Sequence, residues 1–207
     1  MAIPGYKCLV RVSGGALTLT DEPTTADAAY RVYQITDPAK QVLDPFATIT
    51  VEVNGSPVSS GYKLDRLFGK VIFDSPLQPT DVVTVSGKYL PMATAAEAYE
   101  LSYTLQAENA DATRFQDTWV KRTQVGLDAS GSFSQWFLTG ADMAGELMAG
   151  DVVLIEYQVD NQVDLRAWAL LSSTEPASQP RAIQTENIQW QGTEDADGRV
   201  VSSGNVA

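Results

Sequence analysis

The strongest constraint on the fold is a regular alternation of apolar and polar residues over residues 99–108. Its odd positions include Tyr99, Leu101 and Leu105, whereas its even positions are polar. In a strand, successive side chains point to opposite faces, so this order buries one face and exposes the other. In a helix the same order would spread Tyr and Leu around the whole circumference. The segment therefore predicts a β-strand with one covered face.

Similar alternation recurs along the chain, and turn residues separate the segments. Asn54-Gly55 suits a type I′ hairpin turn, because both residues tolerate positive φ. Residues 139–148 differ, since Met143, Leu147 and Met148 recur at helical spacing. These patterns predict a mostly β fold with one short α-helix. Further predicted strands are residues 6–12, 47–53, 62–67, 71–73, 82–89, 119–125, 152–159, 165–171 and 183–191.

The chain divides into three predicted segments. Residues 43–91 hold several strand signals of their own, which favours a β-rich insertion or decorating lobe. Residues 1–42 and 92–192 then form a β-sandwich core. Residues 193–207 are polar and contain no aromatic residue, so we predict a flexible C-terminal tail there.

The composition argues against an enzyme and against a nucleic-acid reader. A formal net charge of −12, from 26 acidic and 14 basic residues, repels phosphate backbones. The chain has no histidine, which removes Ser-His-Asp catalysis and nearly all zinc centres. It also has no phosphate-binding glycine loop. We therefore expect no enzyme activity, no cofactor and no metal. Two carboxylates acting alone are the enzyme chemistry that the composition leaves open.

No apolar run approaches the roughly 20 residues that a membrane-spanning helix needs, so no membrane partner is expected. The first residues lack the basic and apolar regions of a signal peptide. We therefore expect synthesis in the cytoplasm.

Four tryptophans, Trp119, Trp136, Trp168 and Trp190, fall on predicted strands. Aromatic residues on strands mostly form core or cross-strand contacts. The functional alternative is a surface on which sugar rings stack. That alternative describes a β-sandwich recognition module, either carbohydrate-binding or adhesin-like, with several exposed tryptophans in one planar patch.

The order of segments in the second half of the chain carries a resemblance. Residues 111–119, DATRFQDTW, follow the alternating strand, and residues 126–132, GLDASGS, lead into a second aromatic strand. The short helix, the strand 151–159, the segment RAWALLS at 166–172 and the acidic-polar strand TENIQW at 185–190 follow. This order, over about half the chain, resembles the tail tube (major tail) proteins of long-tailed bacteriophages. Residues 43–91 depart from it, because a minimal tube subunit lacks so large a lobe.

The resemblance implies a tail-tube-like, barrel-forming β-sandwich flanked by one short helix. It implies a virion structural protein of a non-contractile tail, made in the host cytoplasm, whose copies form rings, usually hexameric, that stack into a tube for DNA delivery. The implied partners are other copies of the chain and other tail proteins, namely the terminator, tape measure and distal tail proteins. DNA would be only a non-specific passing cargo.

An acidic and polar strand face would suit the wall of such a channel, because negative charge keeps DNA sliding rather than sticking. The alternative is that the same residues face bulk solvent on an outer sheet. The candidate channel-lining residues are Glu100, Ser102, Thr104, Gln106 and Glu108, with Glu156 and Gln158 behind them.

Overall fold

The computed structural model describes residues 7–13, 15–115, 118–136, 147–150, 152–159, 162–177 and 185–203. As predicted, the chain is mostly β, and the described residues form two curled antiparallel sheets of seven strands each. The strands are β1 (Lys7–Ser13), β2 (Leu17–Ala26), β3 (Val32–Ile35), β4 (Thr50–Val53), β5 (Ser56–Val58), β6 (Tyr62–Asp65), β7 (Lys70–Phe73), β8 (Val83–Tyr89), β9 (Met92–Asp111), β10 (Arg122–Trp136), β11 (Val153–Val159), β12 (Gln162–Ala177), β13 (Thr185–Gly192) and β14 (Val201–Ser203).

The first sheet closes on itself. Its strands run in the order β11–β1–β9–β10–β13–β12, β12 pairs back with β11, and β14 is added beside β12. Phe133, Ile155, Ile188 and Trp190 belong to the apolar core inside this closed sheet. A Cβ atom at Gly131 would lie 2.6 Å from the Trp190 ring. The missing side chain at Gly131 therefore makes room for the indole.

The second sheet has the order β5–β4–β8–β2–β3–β7–β6 and folds over at β2. Residues 17–23 of β2 pair with β8, and residues 24–26 pair with β3. The fold-over coincides with a register shift and with Asp21, whose φ is 47°. Val51 and Val85 from one half meet Tyr33 and Phe73 from the other in a second core. This half of the chain is thus a small sandwich of its own.

Two local predictions can be compared with the structure. Asn54 and Gly55 have φ values of 53° and 74° and connect β4 to β5, so the predicted hairpin turn is confirmed. Residues 147–149 are helical, which confirms a short helix at the end of the predicted segment 139–148. Residues 139–146 lie outside the described residues. The Leu147 side chain packs against the first core.

The two sheets meet at a third apolar cluster. Leu154 and Trp168 come from the outer side of the closed sheet, and Leu67 and Phe68 come from the loop between β6 and β7. The second sheet also contains β2 and β3, so its strands extend beyond the lobe predicted at residues 43–91. The division into a core at 1–42 and 92–192 and a lobe at 43–91 remains a prediction.

The segment 193–203 makes more contacts than its composition predicts. Asp197 pairs with Arg66 at 2.5 Å, and Arg199 pairs with Asp65 at 2.9 Å. The Asp195 carboxylate accepts hydrogen bonds from the backbone N–H groups of Asp197 and Arg199. Asp65 and Arg66, the buried partners of this segment, lie more than 130 positions away in sequence. Local composition does not reveal such distant partners, so the polar residues alone predicted a flexible tail. The remaining tail residues, 204–207, lie outside the described residues.

Candidate functional site

The five predicted residues on β9 lie on one face of that strand, and all five side chains are exposed. Their even positions place them on the outer face of the closed sheet, since the buried Phe133 and Ala129 of β10 pair with odd-numbered residues of β9. Glu100 and Glu108 stand at the two ends of this row. The structure therefore brings Glu100, Ser102, Thr104, Gln106 and Glu108 together as one surface.

The neighbouring strands extend this surface with residues that the sequence prediction missed. Ser132 lies opposite Ser102, and their hydroxyl oxygens are 2.9 Å apart. Asp128 lies opposite Gln106 and adds a third carboxylate. The serines at 130, 132 and 134 alternate in the sequence, and this pattern could have predicted that β10 continues the polar surface of β9. We call this surface the polar face. It consists of Glu100, Ser102, Thr104, Gln106, Glu108, Gly126, Asp128, Ser130, Ser132, Ser134, Asn187, Gln189 and Gln191.

The prediction for Glu156 is wrong. Its side chain is fully buried, and it pairs with Arg166 at 2.9 Å and with Arg11 at 3.2 Å. The outer side of β11 carries Glu156 and faces the loop that contains Leu67, whose carbonyl accepts a hydrogen bond from Arg166. A side chain covered within one chain cannot line a channel. The side chain of Gln158 lies outside the described part of β11.

The strands β9 and β10 form a long hairpin that extends beyond the covered part of the sheet. On the odd-numbered side of β9, Tyr103 is 40% exposed, Leu105 is 53% exposed, and Leu127 of β10 is 73% exposed. Ala129, opposite Leu105, is still buried. Cover on the apolar side of the hairpin therefore ends near Ala129, and the part beyond it has both faces exposed.

The segment at the end of the hairpin, residues 112–121, carries large exposed apolar side chains. Phe115, Trp119 and Val120 are exposed by 109%, 84% and 62%. The base of this segment is ordered by a turn. Thr113 donates backbone and hydroxyl hydrogen bonds to the Asp111 carboxylate, which lower the pKa of Asp111. We call residues 112–121 the hairpin loop, of which residues 116–117 lie outside the described residues. Large exposed apolar side chains are typical of a contact surface.

The described tryptophans bear on the sugar-stacking alternative considered from the sequence. Trp168 and Trp190 are buried at 0% and 2% exposure, and Trp119 is exposed. The side chain of Trp136 lies outside the described residues. The described tryptophans therefore form no planar patch, which a sugar-stacking module would need.

A groove of about 860 Å³ runs beside the projecting part of the hairpin. Leu105, Leu127 and Asp128 form one wall, and Glu194 and Val200 of the C-terminal segment contribute to the other. It exists because β13 pairs only with residues 130–136 of β10. In the part of the chain that the structure describes, no strand pairs with residues 122–129 on that side. The groove thus borders an unpaired strand edge.

Two other kinds of site are missing from the described residues. They contain no group of three His, Cys, Asp or Glu side chains arranged to hold a metal ion. The helical residues described form no segment with the length and apolar character to span a bilayer.

No family model and no curated protein matches the chain. Several solved structures are similar to part of it, among them two of gene transfer agent particles. The tail of an empty gene transfer agent particle with C6 symmetry is 16% identical, with a TM-score of 0.44 over 55% of this chain and 86% of the other. The virion of a native gene transfer agent particle is 16% identical, with a TM-score of 0.43 over 54% of this chain and 88% of the other.

Proposed function

We propose that this chain is a virion structural protein of a phage-like, non-contractile tail that assembles with copies of itself into stacked hexameric rings. The rings form the tube through which DNA is delivered. The observation that carries this proposal is the hairpin of β9 and β10. One side of this hairpin belongs to the polar face. The other side and the hairpin loop expose apolar side chains.

The polar face suits a surface past which DNA moves. It combines three carboxylates, Glu100, Glu108 and Asp128, with small hydroxyl and amide side chains, and none of its positions carries Lys or Arg. Binding of phosphates by proteins depends on Lys and Arg, which release counterions from DNA. A surface without cations therefore lacks the groups that supply most of the non-specific affinity of proteins for DNA.

The apolar side of the hairpin supports self-assembly. Exposed patches rimmed by polar residues mark protein interaction sites. Leu127 lies on a strand edge that no described strand pairs, and the exposed Leu105 lies beside it on β9. An unpaired edge offers backbone N–H and C=O groups to another chain. A repeated head-to-tail contact closes into a ring when the rotation fits.

The resemblance in the second half of the sequence supports the remaining partners. They are the terminator, tape measure and distal tail proteins at the ends and inside of the tube, with DNA as a non-specific cargo. The location would be the tail of the virion, after synthesis in the host cytoplasm.

Negative-stain electron microscopy of the concentrated, purified chain tests the proposal directly. We expect rings or hollow tubes at high concentration and smaller particles on dilution. A single compact particle at every concentration, together with absence of the chain from purified virus particles, would overturn the proposal.

Reversing charge on the polar face is expected to slow DNA delivery. In a Glu100→Lys/Glu108→Lys variant, cations replace two exposed carboxylates in every subunit and can bind phosphates. We expect the rate of DNA ejection from particles with variant tubes to fall about tenfold or more at low salt.

The matched control is Glu52→Lys/Asp74→Lys, which changes the net charge equally at Glu52 in β4 and at Asp74, the residue directly after β7. We expect that variant to eject DNA at the normal rate. Equal rates for both variants and the parent, with intact tubes, would remove the polar face from the channel wall and leave it on the outside of the tube.

A further inference from the structure

A cleft lies between the segment 193–203 and the second sheet. Its volume is about 720 Å³, which is within the range of small-molecule sites. Residues 46–49 and strand β6 contribute to one wall, and Ala196, Asp197 and Arg199 contribute to the other. Both walls come from the same chain, so the cleft forms without a neighbour.

This cleft is rich in cations, although the protein is acidic overall. Its lining residues include Lys63, Arg66 and Arg199 but only one carboxylate, that of Asp197. The whole chain has the opposite balance, with 14 basic and 26 acidic residues. A cleft lined mainly by one sign of charge concentrates ligands of the opposite sign. The cleft therefore favours an anionic ligand.

Each of the three cations has donors that the described residues do not use. Arg66 donates hydrogen bonds through Nε and Nη1, and Arg199 donates through Nη1 alone. The ammonium group of Lys63 is exposed, and no described residue accepts a hydrogen bond from it. The remaining N–H groups can donate charge-assisted hydrogen bonds to a carboxylate or a phosphate.

An exposed aromatic ring is held in place at the same cleft. Phe46 is 63% exposed, and the Asp44 carboxylate accepts hydrogen bonds from the backbone N–H groups of Phe46 and Ala47. The buried Arg66 fixes this loop as well, because its Nη1 donates to the carbonyls of Asp44 and Ala47 at 2.8 and 2.7 Å. A ring on an ordered loop can cover a ligand with little further loss of conformational freedom.

Tyr62 adds a second ring and a hydroxyl group. Its ring centre lies 6.0 Å from that of Phe73 in the second core, which holds the side chain in position. Burial and the nearby Asp197 raise the pKa of Tyr62, whereas the nearby Arg66 lowers it. The hydroxyl therefore stays protonated and lies within electrostatic reach of both charged groups. No described residue forms a hydrogen bond with it, so it can donate one to a ligand.

The other lining residues favour a sugar over an apolar ligand. Seven of the twelve lining side chains carry hydrogen-bonding groups, among them the hydroxyls of Thr48 and Ser59. A sugar presents hydroxyl groups around a ring that has an apolar face of C–H groups, and aromatic side chains can cover such a face. The excess of cations favours a sugar that also carries an acid group.

We propose that this cleft binds a saccharide that carries a carboxylate or phosphate group. Lys63, Arg66 and Arg199 hold the acid group. Asp197 accepts hydrogen bonds from sugar hydroxyls, and Phe46 covers the apolar face of the ring. None of the lining residues is a tryptophan, so this site differs from the planar tryptophan patch considered above. It is complete in one chain and does not depend on the proposed function.

Calorimetric titration of the purified full chain with digalacturonic acid tests the proposal. We expect a dissociation constant of about 1 mM or lower, and binding at least about tenfold weaker for the neutral disaccharide digalactose. Added salt should weaken the binding of the acidic sugar, because it screens exposed charges. Glucose 6-phosphate is the second acidic ligand. Binding of either acidic sugar supports the site, and their order shows which acid group fits better.

A double variant locates the binding. Phe46→Ser/Lys63→Met removes the ring and one cation, and both side chains are exposed, so the variant should fold like the parent. We expect it to bind digalacturonic acid at least about tenfold more weakly. The matched control is Val82→Ser/Lys88→Met, which removes an exposed apolar side chain and an exposed cation that do not line the cleft. It should bind like the parent.

Three results of these titrations would overturn the proposal. They are no binding of either acidic sugar by the parent up to about 10 mM, equal binding of acidic and neutral disaccharides, and equal binding by the two double variants. A hexaglutamate peptide that binds the parent more tightly than either acidic sugar, and loses affinity in Phe46→Ser/Lys63→Met, would also overturn it. The cleft would then recognise an acidic peptide. These titrations use the single chain, so their failure would leave self-assembly untouched.

Discussion

Replacement of Arg166 by methionine is expected to lower the free energy of unfolding by about 3–5 kcal/mol, because it leaves the buried Glu156 carboxylate without its main partner. Arg166 Nε lies 2.9 Å from Glu156 Oε2, and the Glu156 side chain has no exposed surface. A charge removed from water is tolerated only while a close partner and hydrogen bonds compensate for its lost hydration.

Arg166 does more than neutralise a charge. Its Nη1 donates a 2.7 Å hydrogen bond to the carbonyl of Leu67, and its guanidinium lies 4.6 Å from the centre of the Phe68 ring. Leu67 and Phe68 belong to the loop through which the second sheet meets the first. Burial lowers the pKa of Arg166 and the neighbouring Glu156 raises it, but a guanidinium stays charged in proteins. The methionine variant therefore weakens the contact between the sheets as well.

Two further variants test whether the unpaired Glu156 charge causes the loss of stability in Arg166→Met. Glu156→Met/Arg166→Met removes both charges and fills the space with apolar atoms, so most of the lost stability should return. Lys40→Met breaks the more exposed Lys40–Glu22 pair, and we expect a loss of at most about 1 kcal/mol. Urea unfolding monitored by tryptophan fluorescence gives the free energies. Equal losses for Arg166→Met and Lys40→Met would contradict the role of the buried pair.

The case of Glu156 shows where a sequence pattern stops being informative. Alternation predicts that Glu156 and Gln158 share a face, but not whether water or another part of the chain covers that face. One signal was present, because Val153, Leu154 and Ile155 are apolar in a row and such runs indicate strands buried on both sides. The covering loop is almost 90 positions away, so its position could not be read from local spacing.

Features that depend only on neighbouring residues could be predicted from the sequence. The Asn54-Gly55 turn depends only on which residues tolerate positive φ, and the β9 row of exposed residues depends only on the period of two. The closure of the first sheet was not predictable, because it requires the pairing of β12 with both β11 and β13. Likewise, the hairpin looks like a covered strand in sequence, since Leu105 and Ala107 continue the apolar side up to and beyond the point where cover ends.

Two tryptophans on predicted strands are expected to respond to mutation in opposite ways. Trp168→Ala should lower the free energy of unfolding by about 3–5 kcal/mol, because its fully buried ring joins the two sheets and would leave a cavity. Trp119→Ala removes a ring that is 84% exposed, so the stability of the single chain should change by less than about 0.5 kcal/mol.

For self-assembly we expect the larger effect from Trp119→Ala and the smaller effect from Trp168→Ala. At concentrations where the folded fraction is the same, Trp119→Ala should raise the concentration needed for assembly by about 30-fold, the effect of losing one aromatic anchor of an interface. Folded Trp168→Ala should assemble close to normally, because Trp168 offers no surface to a neighbour. Unfolding curves and sedimentation of the same samples give both quantities. If Trp119→Ala destabilises the isolated chain as strongly as Trp168→Ala, the exposed position of the hairpin loop is wrong. If Trp119→Ala changes neither quantity, the loop takes no part in self-association.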